Sequence, residues 1–338
     1  MTATCSRRRA AMLAAASTLV LAAAAARAED YSIKVGTGPV TASGPLYIAQ
    51  DRGYYAAEHI TAEMVSMDAA QSVAQGVVAG ALDIGATAAT AAAYNLAAKG
   101  GLIIIGGQGR EVPTFHGAAI LASNNAWDGG LKSLKDLANH TIGIVQVGGP
   151  VHYELELANE KYHIDPKSQR LVALQGLSNV ATALAGSQVD AAPEVSTFAL
   201  KLSDDHKAHL LAWVGDETPW QNTLIFVATK TASDRRPMVE AFMRAYKKAA
   251  HDYNDAFTAP DGTRRDGPTA PAILAIMAKA LNQSAEQLDS GISYDDPDAK
   301  LDVKDVMHQI GWFKEQNMLP GDADGEKMLD KHFVVPLN

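Results

Sequence analysis

From Ser32 onward, short runs rich in β-branched and aliphatic residues alternate with longer Ala- and Leu-rich segments whose apolar positions recur every three to four residues. That alternation predicts α/β architecture built on mostly parallel sheets. Strands are expected at 32–35, 62–66, 82–85, 102–106, 117–122, 141–145, 170–173, 191–192 with its neighbours, 209–213 and 224–229. Helices are expected at 42–51, 69–79, 90–98, 150–162, 176–185, 236–256, 268–281, 302–316 and 325–333. These are too many strands for one ordinary open sheet, so two lobes are the simpler reading.

The chain changes lobe where a hydrophobic strand runs into Gly107-Gln108-Gly109 and, after Pro113, into a second strand-like run. The return crossing is expected at 223–229, after the turn-like Asp216-Glu217-Thr218-Pro219. Two crossover strands then form a hinge between a discontinuous lobe, residues 29–112 with 224–338, and a compact one, residues 113–223. The cleft between such lobes is the natural place for a ligand.

The first residues change the picture of where the protein works. Arg7, Arg8 and Arg9 precede an apolar run of roughly seventeen residues ending near Ala26-Arg27-Ala28, shorter and less apolar than a permanent span of about twenty. This is the layout of a secretory signal peptide cleaved near Ala28, which implies a periplasmic protein. Ser6-Arg7-Arg8-Arg9 leaves twin-arginine export open beside the general route. The single cysteine, Cys5, lies ahead of the apolar run, so it is no lipid attachment site and the mature chain has no thiol. The leader carries four arginines and no acid, so its removal moves the formal charge from −9 to −13. An acidic chain is a poor partner for nucleic acid, whose affinity comes from Lys and Arg on phosphates.

Several segments together resemble the periplasmic binding proteins of sulfonate-, taurine- and nitrate-type ABC importers, which share their fold with thiamine-precursor binding proteins. Val35-Gly36-Thr37-Gly38, then Ser43-Gly44-Pro45-Leu46-Tyr47-Ile48-Ala49 and Gly53-Tyr54-Tyr55, resemble that family's opening strand, binding loop and helix end. Gly80-Ala81-Leu82-Asp83-Ile84-Gly85 is similar to its next turn; Leu131 to Leu137 with Thr141-Ile142-Gly143-Ile144, and Leu184 to Ala191, resemble segments further on. The resemblance covers nearly the whole mature chain in order. It implies a two-lobed type II periplasmic binding protein fold, a monomer that hands a small molecule to a membrane permease, no cofactor and no catalysis. Two other readings stay open: an enzyme on the same fold, of the thiamine-pyrimidine or menaquinone biosynthesis type, and a ligand-presenting accessory of a sensor kinase.

The residues themselves agree with a ligand site. In open α/β sheets ligands sit beyond the carboxyl ends of strands, at helix N-termini whose free N–H groups face the crevice. Three loops of small or polar residues stand at such places: Thr41, Ala42, Ser43 and Gly44; Thr87 and Ala88; and Gly149, Val151 and their neighbours. The same residues also make good helix caps and tight turns. Arg110, after the first crossing, offers a bidentate guanidinium for a carboxylate or sulfonate, or a hinge salt bridge, for instance with Glu111. His116, His152 and Tyr153 are candidate ligand contacts, with Phe115, Trp213 and Trp220 as apolar walls. Glu194 faces the cleft if the resemblance holds, and would favour a ligand with N–H donors or positive charge. The expected ligand is a small organic acid, a sulfonate or a carboxylate, with an apolar body. His206 and His209 have no metal-site pattern around them, and no metalloprotease, nucleophile-elbow or phosphate-loop motif is found.

Overall fold

A computed structural model describes residues 30–67 and 69–337, so the expected leader and Cys5 lie outside the described residues. The first sheet has strand order β2-β1-β3-β12-β4, from β1 (Tyr31–Thr37), β2 (Ile60–Ser66), β3 (Ile84–Ala88), β4 (Leu102–Gly107) and β12 (Thr223–Ala228). The second has order β10-β6-β9-β7-β8, from β6 (Ala118–Ser123), β7 (Thr141–Ile144), β8 (Arg170–Ala173), β9 (Ala191–Val195) and β10 (Ala208–Trp213). Between them lies a small sheet, β11-β5-β13, from β5 (Gly109–Glu111), β11 (Trp220–Gln221) and β13 (Tyr294–Asp295). This is the two-lobed fold that the sequence predicts.

Strand character follows position. In β1, Ile33 and Val35 are buried while Ser32 and Lys34 face solvent, the alternation of a half-covered strand. Strand β6, in contrast, is buried at every residue because helices cover both faces of its sheet. The long helix Arg236–Phe257 buries Met238, Phe242, Tyr246, Ala249 and Tyr253, spaced three or four apart, against the helix Gly44–Asp51 and its sheet.

Four expectations need correction. The sheets are mixed: β12 runs antiparallel to β3 and β4, and β6 antiparallel to β9 and β10, because each crossing brings the chain back in the opposite direction. The return crossing is β11, which pairs with β5; the segment expected there, Thr223–Ala228, is an interior strand of the first sheet. The segment 325–333 forms a short 3-10 turn at Gly325–Met328, not a helix. Ser196–Asp204, expected as no element, is a helix burying Ala199 and Leu202. Its polar end, Asp204 to Lys207, obscured a short amphipathic stripe.

The lobes touch. The Ala91 N–H donates to the Gly148 carbonyl at 3.1 Å, and Tyr153 of the second lobe donates to Asp305 of the C-terminal helix Val303–Glu315 at 2.9 Å. Glu160 lies 3.2 Å from His308. Tyr153, Trp220, Trp312 and Phe313 join one apolar cluster that runs from the first lobe into the second.

Gly85 sits directly across from Phe226 in the β3–β12 ladder, where a methyl group would enter the aromatic ring. Gly85→Ala is expected to destabilise the fold by about 1–3 kcal/mol through overpacking, read as a lower urea midpoint with an unchanged denaturant slope.

Candidate functional site

The first loop is held by its own hydroxyls. Ser43 Oγ donates to the Gly38 carbonyl at 2.8 Å and lies 2.7 Å from Thr37 Oγ1, while Thr41 Oγ1 donates to the Gly291 carbonyl at 2.7 Å. Ser43, so engaged, makes no side-chain cap, which leaves the first N–H groups of the helix Gly44–Asp51 without one. The Ala42 carbonyl accepts from Gln108 Nε2 at 2.8 Å, tying the loop to the hinge. Gly44 packs under the Tyr253 ring, which leaves no room for a side chain.

The second and third loops meet across the lobes. Thr87 is buried and Ala88 half-buried at the end of β3, and Thr90 Oγ1 accepts from the Ala93 N–H at 3.1 Å, capping the helix Ala91–Ala98. Gly148 has φ of +75°, a backbone state that favours glycine. Its carbonyl takes the Ala91 N–H, and its own N–H donates to His152 Nδ1 at 3.1 Å. That bond places the ring proton on Nε2, and burial lowers the His152 pKa to about 4, so the imidazole is neutral. Gly149 is buried at the N-cap of the helix Pro150–Tyr162, in which Val151 to Leu155 are all buried. Tyr153 Oη reaches both Asp305 Oδ1 and, at 2.7 Å, His308 Nδ1.

Three buried carboxyl groups come from three elements, and Glu154 feels the other two through space. Glu111 on β5 and Glu154 on the helix Pro150–Tyr162 are each 2% exposed, and Glu194, at the carboxyl end of β9, is 0% exposed. Both oxygens of Glu194, and Oε2 of Glu111 and of Glu154, have no hydrogen-bond partner. Burial pushes the Glu111 pKa up to about 7, against an Asn222 side-chain bond and the Ala118 and Gly117 N–H groups that hold it down. Burial pushes Glu194 up to about 8, and Glu154 well above the carboxylate range with added repulsion from Glu111 and Glu194.

Arg110 does not join them. Successive residues of a strand face opposite ways, and the register sets Glu111 beside Trp220 but Arg110 beside Gln221 and Tyr294. Arg110 Nη2 instead lies 3.1 Å from Asp302 Oδ2, whose Oδ1 caps the C-terminal helix. The hinge salt bridge is thus made with Asp302, not with Glu111. His116 and Trp213 stack on each other with ring centres 4.3 Å apart, and the His116 side chain is 39% exposed beside Asp216. Phe115 is buried edge-on against Tyr294, and Trp220 edge-on against Tyr153. His206 and His209 line a groove of about 800 Å³ on the outer face of the second lobe, where His209 stacks on Trp127. Among the described residues no acid, His or Cys cluster of metal-binding form is present.

Sequence reasoning named Glu194 but missed Glu111 and Glu154. Nothing in the pattern separates Glu154 from the half-buried Glu156 and the exposed Glu160 of the same helix; only its place one turn inside a buried N-terminus does.

Comparison with solved structures gives the fold independently. The alkanesulfonate-binding protein SsuA from Xanthomonas axonopodis pv. citri, bound to MOPS, superposes with a TM-score of 0.67 at 17% identity, covering 90% of this chain and 99% of that one. The periplasmic aliphatic sulphonate binding protein SsuA from Escherichia coli gives 0.71 at 15% identity, covering 92% and 94%. The periplasmic nitrate-binding protein NrtA from Synechocystis PCC 6803 gives 0.66 at 14% identity, covering 90% and 87%. At such identities the likeness is one of fold, that of the periplasmic binding proteins. No curated protein matches the chain in sequence. The family model described as NMT1/THI5 like matches residues 40–262, well over half of the chain, and the chain therefore belongs to the NMT1/THI5-like family.

Proposed function

We propose that this chain is the exported solute-binding subunit of an ABC importer, whose lobes, residues 29–112 with 224–338 and residues 113–223, close over one small organic molecule and present it to a membrane permease. One observation supports this reading: both oxygens of Glu194 are buried without a hydrogen-bond partner, two residues before Ser196, which abuts Gly291 of the other lobe. Buried carboxyl groups without partners are costly and persist where function needs them. The Gly-, Ala- and Thr-rich loops around them allow a ligand to approach the backbone. The basic and apolar run of residues 7–28 supports export, and no helix among the described residues is long and apolar enough to cross a membrane. The site groups serve binding in this reading, with no cofactor and no covalent step, and the monomer is the working unit.

Hinge closure is testable because the mature chain has no native thiol. Spin labels on Asn125→Cys and Lys279→Cys, exposed positions on the two lobes, are expected to show a broad distance distribution in the purified chain. The distribution should narrow when a small-molecule extract of the host is added. A distribution that ignores the extract overturns the receptor reading. Tyr153→Phe removes a hydroxyl that joins the lobes, so it is expected to weaken closure by about 1 kcal/mol, roughly a fivefold shift in the closed population. The same label pair reads that shift.

Buried carboxyl groups also set a pH dependence. Glu111 and Glu194 titrate near 7 and 8 when folded, against about 4.3 unfolded. Between those values the unfolded chain has lost protons that the folded chain keeps, so stability falls as pH rises. His152, depressed to about 4, acts in the opposite sense only below its unfolded value of about 6.5. From pH 6.5 to 8 the ligand-free protein is therefore expected to lose stability, by at most about 1.4 kcal/mol per pH unit for each group. Urea titrations of Glu194→Gln should show a shallower fall than the parent.

A further inference from the structure

We infer that the lobes close on a proton: the polar chain Asp305, Tyr153, His308 and Glu160, which spans them, is complete only with one proton more than a neutral imidazole, a phenol and two ionised carboxylates bring to it, so closure is favoured as pH falls. This rests on the receptor reading above, whose lobes open and close, and adds a control on that motion. Tyr153 and Glu160 stand on the helix Pro150–Tyr162 of the second lobe, Asp305 and His308 on the helix Val303–Glu315 of the first. Their contacts are Tyr153 Oη to Asp305 Oδ1 at 2.9 Å, Tyr153 Oη to His308 Nδ1 at 2.7 Å and His308 Nε2 to Glu160 Oε1 at 3.2 Å.

Each contact joins two atoms that carry lone pairs, so each needs a proton between them. Burial raises the Tyr153 pKa, so the phenol keeps its proton and supplies one. A neutral imidazole supplies a second. With Tyr153 donating to Asp305, that second proton must sit on Nδ1 to meet the phenol oxygen, and Nε2 and the Glu160 carboxylate then face each other as two acceptors. A third proton, on Nε2, turns the opposition into a charge-assisted bond. Asp305 is the fixed end of the chain, since its Oδ2 accepts from the Gln221 N–H at 2.8 Å and from Gln309 Nε2 at 2.6 Å. Burial raises its pKa, and the Gln221, Gln309 and Tyr153 donors oppose that by favouring the ionised acceptor. The other titratable groups at this contact are acids, Glu156 beside Glu160 and Glu315 on the helix of His308; burial raises the Glu156 pKa, and Glu160 and Glu315 raise it further by repulsion. Lys304, also on that helix, is exposed, and Trp220 and Gln221 of β11, packed on it, carry no charge. Among the described residues none of these acids forms an ion pair with Lys or Arg, which leaves the imidazolium to offset them.

The test reads the lobe-distance labels on the mature chain from pH 8 to pH 5, the range in which histidine changes charge, both without extract and at the extract level that half-closes the parent. The closed share of the parent is expected to rise as pH falls. His308→Gln removes the titrating ring and should flatten that rise by roughly two- to fivefold, the worth of a pair whose side chains are 44% and 42% exposed. Glu160→Gln brings its own amide donor to Nε2, so it should flatten the rise as much and, unlike His308→Gln, close more than the parent at pH 8. Glu111 and Glu194, which burial pushes up to about 7 and about 8, give parent and variants the same background. His332→Gln removes an imidazole 3.0 Å from Glu240 within the first lobe and should keep the parent's response. If the extract closes the lobes but pH does not move the parent, or the His308 and Glu160 variants respond as it does, the inference falls and the receptor reading stands. Loss of the response in His332→Gln overturns the inference in the same way. If neither pH nor extract moves the labels, both readings fall together.

Discussion

The antiparallel pairing of β5 with β11 is the constraint on which the rest of the molecule depends. The chain crosses between lobes twice, and the two crossings satisfy their backbone groups by bonding to each other. That pairing fixes a register, and a register fixes faces, because side chains alternate along a strand. Glu111 and Trp220 are thereby turned together, and Arg110 is turned away toward Asp302. A slip of one residue would exchange the charge presented on each face.

Closing the lobes around acids has an electrostatic consequence. A carboxylate on an open lobe keeps its hydration, and the same group between closed lobes loses it. Burial between the lobes therefore favours the protonated acids. The Tyr153 hydroxyl, bonded to Asp305 and His308, adds a contact made only when the lobes meet. The solved structures named for sulfonate and for nitrate show one scaffold carrying different small anions, since function lives in the site grafted on a fold.

Small residues make the close approaches possible. Gly44 lies under the Tyr253 ring, Gly85 under Phe226, and Gly148 turns the chain so that its carbonyl reaches the opposite lobe. The apolar cluster that includes Tyr153, Trp220 and Trp312 continues through this contact, so the closed lobes share packing as well as polar bonds. Neither lobe's core ends cleanly at the hinge.

Local pattern was enough to place the strands of the two large sheets and most long helices, though not the short hinge strands β5, β11 and β13, because the burial of one face imposes a spacing of two or of three to four that is written locally. It failed where local signals were mixed: in Ser196–Asp204, whose stripe is short and whose end is polar, and at 325–333, where Gly325 and the Asp330 turn break the helix. The small-residue loops could be read as strand ends and helix starts, which are local features, whereas Glu194 was singled out by the family resemblance. What only the tertiary structure decided is which distant groups share a space. The direction of Arg110, the burial of Glu111 and Glu154, and the meeting of Gly148 with Ala91 all follow from strand register and lobe contact. Those are relations between residues far apart in the chain, and no local pattern encodes them.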